Sequence, residues 1–131
     1  MEENCIFCKI IKNEISSDKV YEDEKFLGFM TIEPVSDGHI LIIPKKHIVW
    51  MQDADDQTIE EIFKLSKKLM IGLKKATKAD YIQLSISGEQ IPHFHIHLFP
   101  RYYNDGLLHF TPRKYEEGKK GEVAKKITEA L

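Results

Sequence analysis

The stretch His93-Phe-His-Ile-His-Leu-Phe-Pro-Arg101 decides how the rest of the chain is read. Side chains on an extended strand alternate between two faces, so His93, His95 and His97 share one face, at about 6.5–7 Å between successive Cα atoms. Phe94, Ile96 and Leu98 then point to the opposite face and can enter a core. The polar face of this segment carries nothing but imidazole. Three imidazoles in strict alternation can hold a metal, contact successive oxygens of a phosphate chain, or supply a nucleophile with orienting neighbours. Half-exposed surface histidines are the plain alternative, and it accounts poorly for three in a row with no Ser, Thr or Lys among them.

Outward from this stretch, the pattern is mostly strands around one long helix. Tyr81–Ile86 alternates apolar and polar residues and leads through Ser87-Gly-Glu-Gln90 into the histidine strand. Between Asp55 and Ala76, Ile59, Ile62, Phe63, Ser66, Leu69, Met70 and Leu73 recur at three- and four-residue steps, which predicts a helix. Asp55 and Asp56 at its start and Lys74, Lys75 and Lys78 at its end complement the helix dipole. Its outer Lys64, Lys67 and Lys68 read as a solvated face rather than an anion groove. His39-Ile-Leu-Ile-Ile43 is a buried strand entered from the turn residues Pro34–Gly38 and stopped at Pro44. Gly38-His39 either adds an imidazole to the histidine face or ends a loop. Lys19–Tyr21 and Lys25–Thr31 read as a hairpin around Glu22–Glu24. The predicted class is therefore α+β with a largely antiparallel sheet.

Cys5-Ile-Phe-Cys8 opens the chain on a short helical turn. A C-x-x-C pair admits a metal, thiol redox chemistry or coincidence. Redox enzymes place the pair at the end of a strand, and no strand precedes this one. A structural zinc needs two further ligands. His47, at a strand exit, and His93 are the preferred pair, which leaves His95 and His97 free of the metal.

Composition bounds the remaining possibilities. One domain over 131 residues is expected, with a core at about 5–103 and a polar tail at 104–131 that closes in a short helix at Glu122–Leu131. His109 in that tail reads as a surface residue. With 19 Lys and Arg against 21 Asp and Glu, the formal charge of −2 argues against binding a nucleic-acid polymer. Runs such as Ile40–Ile43 are far too short to cross a bilayer, and no charged-then-apolar leader is seen, so no membrane partner and a cytoplasmic location are expected.

The string His93-Phe-His-Ile-His-Leu-Phe resembles the His-x-His-x-His motif of the histidine-triad (HIT) family. Ile32-Glu-Pro-Val-Ser-Asp-Gly-His-Ile-Leu-Ile-Ile-Pro-Lys-Lys-His47 resembles that family's Gly-His strand ending in Pro-Lys and a histidine. Cys5-Ile-Phe-Cys-Lys-Ile10 is similar to the opening of its zinc-binding members. The likeness spans residues 5 to about 103. It implies a HIT-like antiparallel sheet with one long helix, continued across a homodimer, and cleavage of nucleoside-monophosphate linkages in phosphoramidates or dinucleoside polyphosphates. By the same resemblance His95 is the nucleophile, His97 and His39 assist it, and Cys5, Cys8, His47 and His93 hold structural Zn2+. A purine nucleotide would pack on Phe7, Ile10, Phe29, Ile32 and Leu41. Thr31 stands where the family carries an acidic ribose-binding residue, and keeps a hydrogen bond without the charge. Glu89 and Gln90 occupy further nucleotide-binding positions, with Glu where relatives have Gln and Gln where many place a hydroxyl that assists the leaving group. These departures leave a nucleotide sensor or adaptor with weak turnover as the competing reading. For that sheet-extended dimer, Tyr81–Ile86 and the apolar residues of the Asp55–Ala76 helix are the surfaces to examine.

Overall fold

Five strands, one long helix and a short N-terminal helix build the core in the computed structural model, which describes residues 2–107 and 110–131. His109, read above as a surface residue, lies outside the described residues. The elements run α1 (Ile6–Ile11), β1 (Lys19–Glu22), β2 (Phe26–Met30), β3 (Ile40–Pro44), a 3-10 turn (Met51–Asp53), α2 (Asp56–Thr77), β4 (Tyr81–Ser85), β5 (Ile96–Arg101) and α3 (Lys119–Ala130). The strands form one antiparallel sheet in the order β1-β2-β3-β5-β4. This is the α+β architecture the sequence predicts.

The two faces of the sheet are buried separately, which explains why β3 is apolar at every position. On one face, Phe26, Ile40, Ile42, Ile96 and Leu98 pack with Phe94 against Ile62 and Leu65 of α2. On the other, Leu27, Phe29, Leu41 and Ile43 meet Phe7, Ile10 and Ile11 of α1. β2 and β3 thus send alternate residues to different cores, as period-two geometry requires.

Helix α2 begins where its cap says it should. The Asp55 carboxylate accepts the Thr58 N–H at 2.7 Å and satisfies one of the donors a helix start leaves free. At the other end Lys78 adopts the left-handed conformation, with φ of 57°. Helix α3 starts at Lys119, three residues earlier than expected, because Gly118 takes the left-handed conformation (φ 80°) and lets the chain turn into it.

One expectation needs correction. The histidine stretch was predicted as a strand over His93–Arg101, but β5 starts only at Ile96. The ladder with β3 ends at the pair Ile42↔Ile96, so His93 to His95 run alongside β3 without pairing to it. Instead, the Phe94 N–H is bonded to the Ile48 carbonyl, and the His93 ring to the Pro44 carbonyl at 2.8 Å. Side-chain and loop bonds thus replace ladder bonds beside Ile43 and Pro44, where β3 continues and pairs only with β2.

Gly38 shows how closely α2 approaches the sheet. Its φ of +98° lies in the left-handed region, and a Cβ there would sit 3.0 Å from both Pro100 Cγ and Thr77 Cγ2 and 3.3 Å from Leu73 Cδ1. Backbone strain and crowding act together at the residue that delivers His39. Gly38→Ala is expected to lower stability by about 1–3 kcal/mol, read as a lower midpoint in urea unfolding. A midpoint equal to wild type would refute this account of the α2 contact.

Candidate functional site

The register of the central strands places the histidines. Leu41 of β3 pairs with His97 of β5, and Ser85 of β4 pairs with His97 from the other side. Residues directly opposite one another share a face, so His97 lies on the face that carries Leu41 and Phe29. His39 precedes β3 two residues before Leu41, on that same face, and adds an imidazole to the array. The loop-ending alternative for His39 is thereby set aside.

Hydrogen bonds fix the tautomer of each ring, because backbone groups have only one role. The His93 carbonyl can only accept, so the His95 Nδ1–H donates to it at 2.7 Å. The lone pair of His95 is therefore on Nε2. The Val35 N–H can only donate, so His39 Nδ1 accepts at 2.9 Å. His39 then carries its proton on Nε2 and donates it to His97 Nδ1 at 2.9 Å. His97 in turn presents an Nε2–H. One ring thus offers a lone pair and its neighbour a proton, with ring centroids 4.9 Å apart.

Burial keeps these rings neutral. Desolvation lowers the pKa of His39 and His95, and brings that of His97 down to about 4, with the neighbouring His95 and His39 adding to the shift. A neutral imidazole at pH 7 has a lone pair to use, as a nucleophile must. Phe7 of α1 holds His95 edge-on at 5.2 Å between centroids, and Phe99 backs His39 at 5.0 Å.

Behind the array lies a second cluster. Cys5, Cys8, His47 and His93 each bring one ligand atom into a group spanning no more than 4.8 Å. Cys5 Sγ lies 3.4 Å and Cys8 Sγ 3.6 Å from His93 Nδ1, and Cys8 Sγ lies 3.3 Å from His47 Nδ1. A tetrahedral ion with metal–sulfur bonds of about 2.3 Å and metal–nitrogen bonds of about 2.0–2.1 Å would hold S and N about 3.6 Å apart. The observed separations match those edges. His93 donates its Nε2–H to the Pro44 carbonyl at 2.8 Å, which leaves the Nδ1 lone pair facing both sulfurs. Two sulfurs sharing one nitrogen lone pair is an arrangement suited to a cation between them. The residues present thus fit a metal ion. Burial pushes the Cys8 thiol above its ordinary range, and a bound cation would reverse that by favouring the thiolate.

The residues expected to face a nucleotide are only partly gathered. Phe7, Ile10, Phe29 and Leu41 lie in one buried cluster that also contains both cysteines. Ile32 is 93% exposed and stands apart from that cluster. Thr31 is half-buried, and its hydroxyl accepts the Glu33 N–H at 3.2 Å. Glu89 and Gln90 are exposed. The groups that sequence reading missed are main-chain ones, the Val35 amide and the carbonyls of His93 and Pro44. They have no side-chain signature, although Pro34 and Gly38 flanking a five-residue turn signal that the loop folds back on His39.

The HIT domain family matches residues 12–104. The chain belongs to the HIT family. Adenosine 5'-monophosphoramidase of Saccharomyces cerevisiae is 37% identical over 102 residues, covering 74% of this chain and 62% of its own length. The crystal structure of a HIT family member from Bacillus subtilis superposes with a TM-score of 0.88 at 32% identity, covering 98% of each chain. A zinc-bound histidine triad protein from Mycobacterium smegmatis gives a TM-score of 0.76 at 26% identity, again over 98% of each chain. Among the described residues, no helix of this HIT protein is long and apolar enough to cross a membrane.

The cysteine–histidine group can be tested with a spectroscopically active ion. Co2+ titrated into chelator-treated protein is expected to give thiolate charge-transfer absorption and the visible bands of tetrahedral coordination, at one equivalent per chain. Cys8→Ser should lose most of the charge-transfer signal. Wild-type protein without such bands would show that these four residues do not act as one ligand set.

Proposed function

We propose that this HIT protein is a nucleotidyl hydrolase or transferase that cleaves nucleoside-monophosphate linkages, in phosphoramidates or dinucleoside polyphosphates, with His95 as the nucleophile. The observation that carries the proposal is the His95 Nδ1–H···O=C bond to His93, which leaves the lone pair of the neutral ring on Nε2. In this reading Nε2 attacks the α-phosphorus, and the bond to the leaving group breaks with its electron pair going to the leaving group, which takes a proton from solvent. The positive charge that develops on the imidazole is met by the bond from Nδ1–H to the His93 carbonyl, which strengthens as its donor becomes charged. His97 donates its Nε2–H to a phosphate oxygen, and His39 holds His97 in the tautomer that can do so. Water then attacks phosphorus, the P–N bond to His95 breaks, and the mononucleotide leaves. The yeast relative named as an adenosine monophosphoramidase supports a substrate of this class.

The purine is proposed to rest against the cluster of Phe7, Ile10, Phe29 and Leu41, with Ile32 at its rim, Thr31 bonding the ribose, and Glu89 and Gln90 standing beyond the nucleoside, Gln90 toward the leaving group. We assign Zn2+ to Cys5, Cys8, His47 and His93 as a structural ion. Bound there, it supplies a fixed cross-link between α1, the segment after β3 and the entrance to β5. The whole chain is read as a single HIT domain in the cytoplasm, without nucleic-acid or membrane partners. A sensor or adaptor role with weak turnover is favoured by one observation, that the Thr31 hydroxyl already serves the Glu33 amide and stands where an acidic residue would grip the ribose.

A homodimer is proposed through β4. This edge strand is uncharged over Tyr81–Ser85 and pairs with β5 without irregularity. The other edge, β1, is blunted by a bulge and by the Lys19–Glu22 ion pair. Ile71 of α2 is 52% exposed and offers apolar area to the same partner.

Two outcomes follow. His95→Asn should lower turnover of an adenosine phosphoramidate by about a thousandfold or more, with AMP affinity changed little. His97→Asn should cost less, since His97 positions rather than attacks. A His95 variant that retains near wild-type turnover overturns the covalent role, and a wild-type chain that binds AMP but turns over no nucleotidyl substrate establishes the sensor reading instead. Sedimentation equilibrium at micromolar concentration should give twice 15.3 kDa, and a clean monomer would refute the β4 dimer.

A further inference from the structure

Trp50 is the chain's sole tryptophan, and neither the triad nor the cysteine–histidine group uses it. It is 44% exposed, and it stands three residues after His47 and directly before the 3-10 turn. What it touches is a glycine on a distant segment. Gly88 has φ of +72°, and a Cβ at that position would lie 2.9 Å from Trp50 Cζ3 and 3.1 Å from Cε3. Position 88 thus requires glycine twice over, for its backbone conformation and because the indole edge occupies the side-chain space.

The segment that follows Gly88 leads directly into the site. Ile91 packs against the cluster around Phe7 and Leu41, and His93 belongs to the cysteine–histidine group. A backbone bond from the His93 N–H to the Ile91 carbonyl at 2.8 Å tightens the last turn. Between these anchors, Glu89 and Gln90 are exposed, and neither side chain has a hydrogen-bond partner among the described residues. Nothing of their own fixes them. Their place is set by the ends of the segment, Ile91 and His93 on one side and the Trp50–Gly88 contact on the other.

Trp50 is itself held by the elements that build the site. The Ile48 carbonyl accepts the Phe94 N–H, the Trp50 carbonyl accepts the Asp53 N–H at 3.0 Å, and His47 contributes Nδ1 to the ligand group. The arm from His47 to Trp50 therefore runs from the ligand cluster to the turn ahead of the triad.

We propose that Trp50 is a positioning residue, a buttress that presses on Gly88 and fixes the turn carrying Glu89 and Gln90 at the entrance to the triad. The role rests on the nucleotidyl-transfer reading above, because only then do Glu89 and Gln90 meet a substrate. Trp50 itself touches no reacting atom. Losing it frees the turn, so that Gln90 samples positions in which it no longer meets the leaving group. The attacking ring is untouched, since His95 is held by His93 and Phe7.

Two measurements test this on the full chain. The first reads the buttress without any reaction, as the rate at which a glutamate-specific protease cuts after Glu89 in native protein, followed by mass spectrometry. Trp50→Ala should raise that rate about tenfold, and Trp50→Phe, which keeps a ring at the same place, should raise it less than twofold. The second reads positioning. Trp50→Ala should lower kcat for an adenosine phosphoramidate about tenfold while AMP affinity stays within twofold, and Trp50→Phe should restore kcat. Unchanged cleavage in Trp50→Ala overturns the buttress. Raised cleavage with unchanged kcat overturns the positioning role while leaving the contact in place. A wild-type chain without turnover overturns the reaction and the positioning role together, whereas the cleavage result still decides the contact.

Discussion

Everything at the site hangs on His93. Its Nε2–H is bonded to the Pro44 carbonyl, its Nδ1 faces the two cysteine sulfurs, and its own carbonyl accepts from His95. A completely buried imidazole with both nitrogens engaged cannot rotate without breaking two interactions, and leaving either nitrogen unsatisfied costs about 1–3 kcal/mol. Because the ring is locked, so is the backbone of the residue that sets the His95 tautomer. The cysteine–histidine group and the proposed nucleophile are thus joined through His93, whose side chain serves the one and whose carbonyl orients the other.

This arrangement explains why the triad is not three equivalent histidines. His93 faces the sulfur cluster, His95 keeps a free lone pair, and His97 carries its proton on Nε2 because His39 donates to its Nδ1. A shared face made these rings neighbours, but single backbone groups differentiated them: the Pro44 carbonyl, the His93 carbonyl and the Val35 amide. The same residue type performs separate tasks through the direction of one hydrogen bond per ring.

Much of this was legible in the sequence, for identifiable reasons. Helix α2 could be bounded to within a residue because Asp55 caps its start and a lysine cluster marks its end. The Cys2His2 group could be assembled on paper because only histidines remained to complete the cysteine pair. The start of β5 was not legible. Alternation of His with Phe and Ile looks the same whether the extended chain pairs with a strand or with a loop, and here the Phe94 N–H goes to the Ile48 carbonyl although β3 continues to Pro44. The separation of Ile32 from the other residues expected to face a base was hidden in the same way, since its 93% exposure depends on where the loop after β2 turns. The Trp50–Gly88 contact joins residues 38 positions apart and left no local pattern at all.

The neutrality of the buried rings has a consequence for how a charged molecule is received. With the pKa values of His39, His93, His95 and His97 all pushed below their ordinary range by burial, the imidazole face carries no net positive charge at neutral pH. An anion reaching it would meet the directed Nε2–H of His97 rather than a charged partner, since the other three rings already donate their protons within the protein. Attraction of that kind falls away within a few ångströms and is hardly screened by dissolved salt. The triad face therefore exerts little pull from a distance, and its discrimination begins only on contact, by shape and by the placement of individual protons.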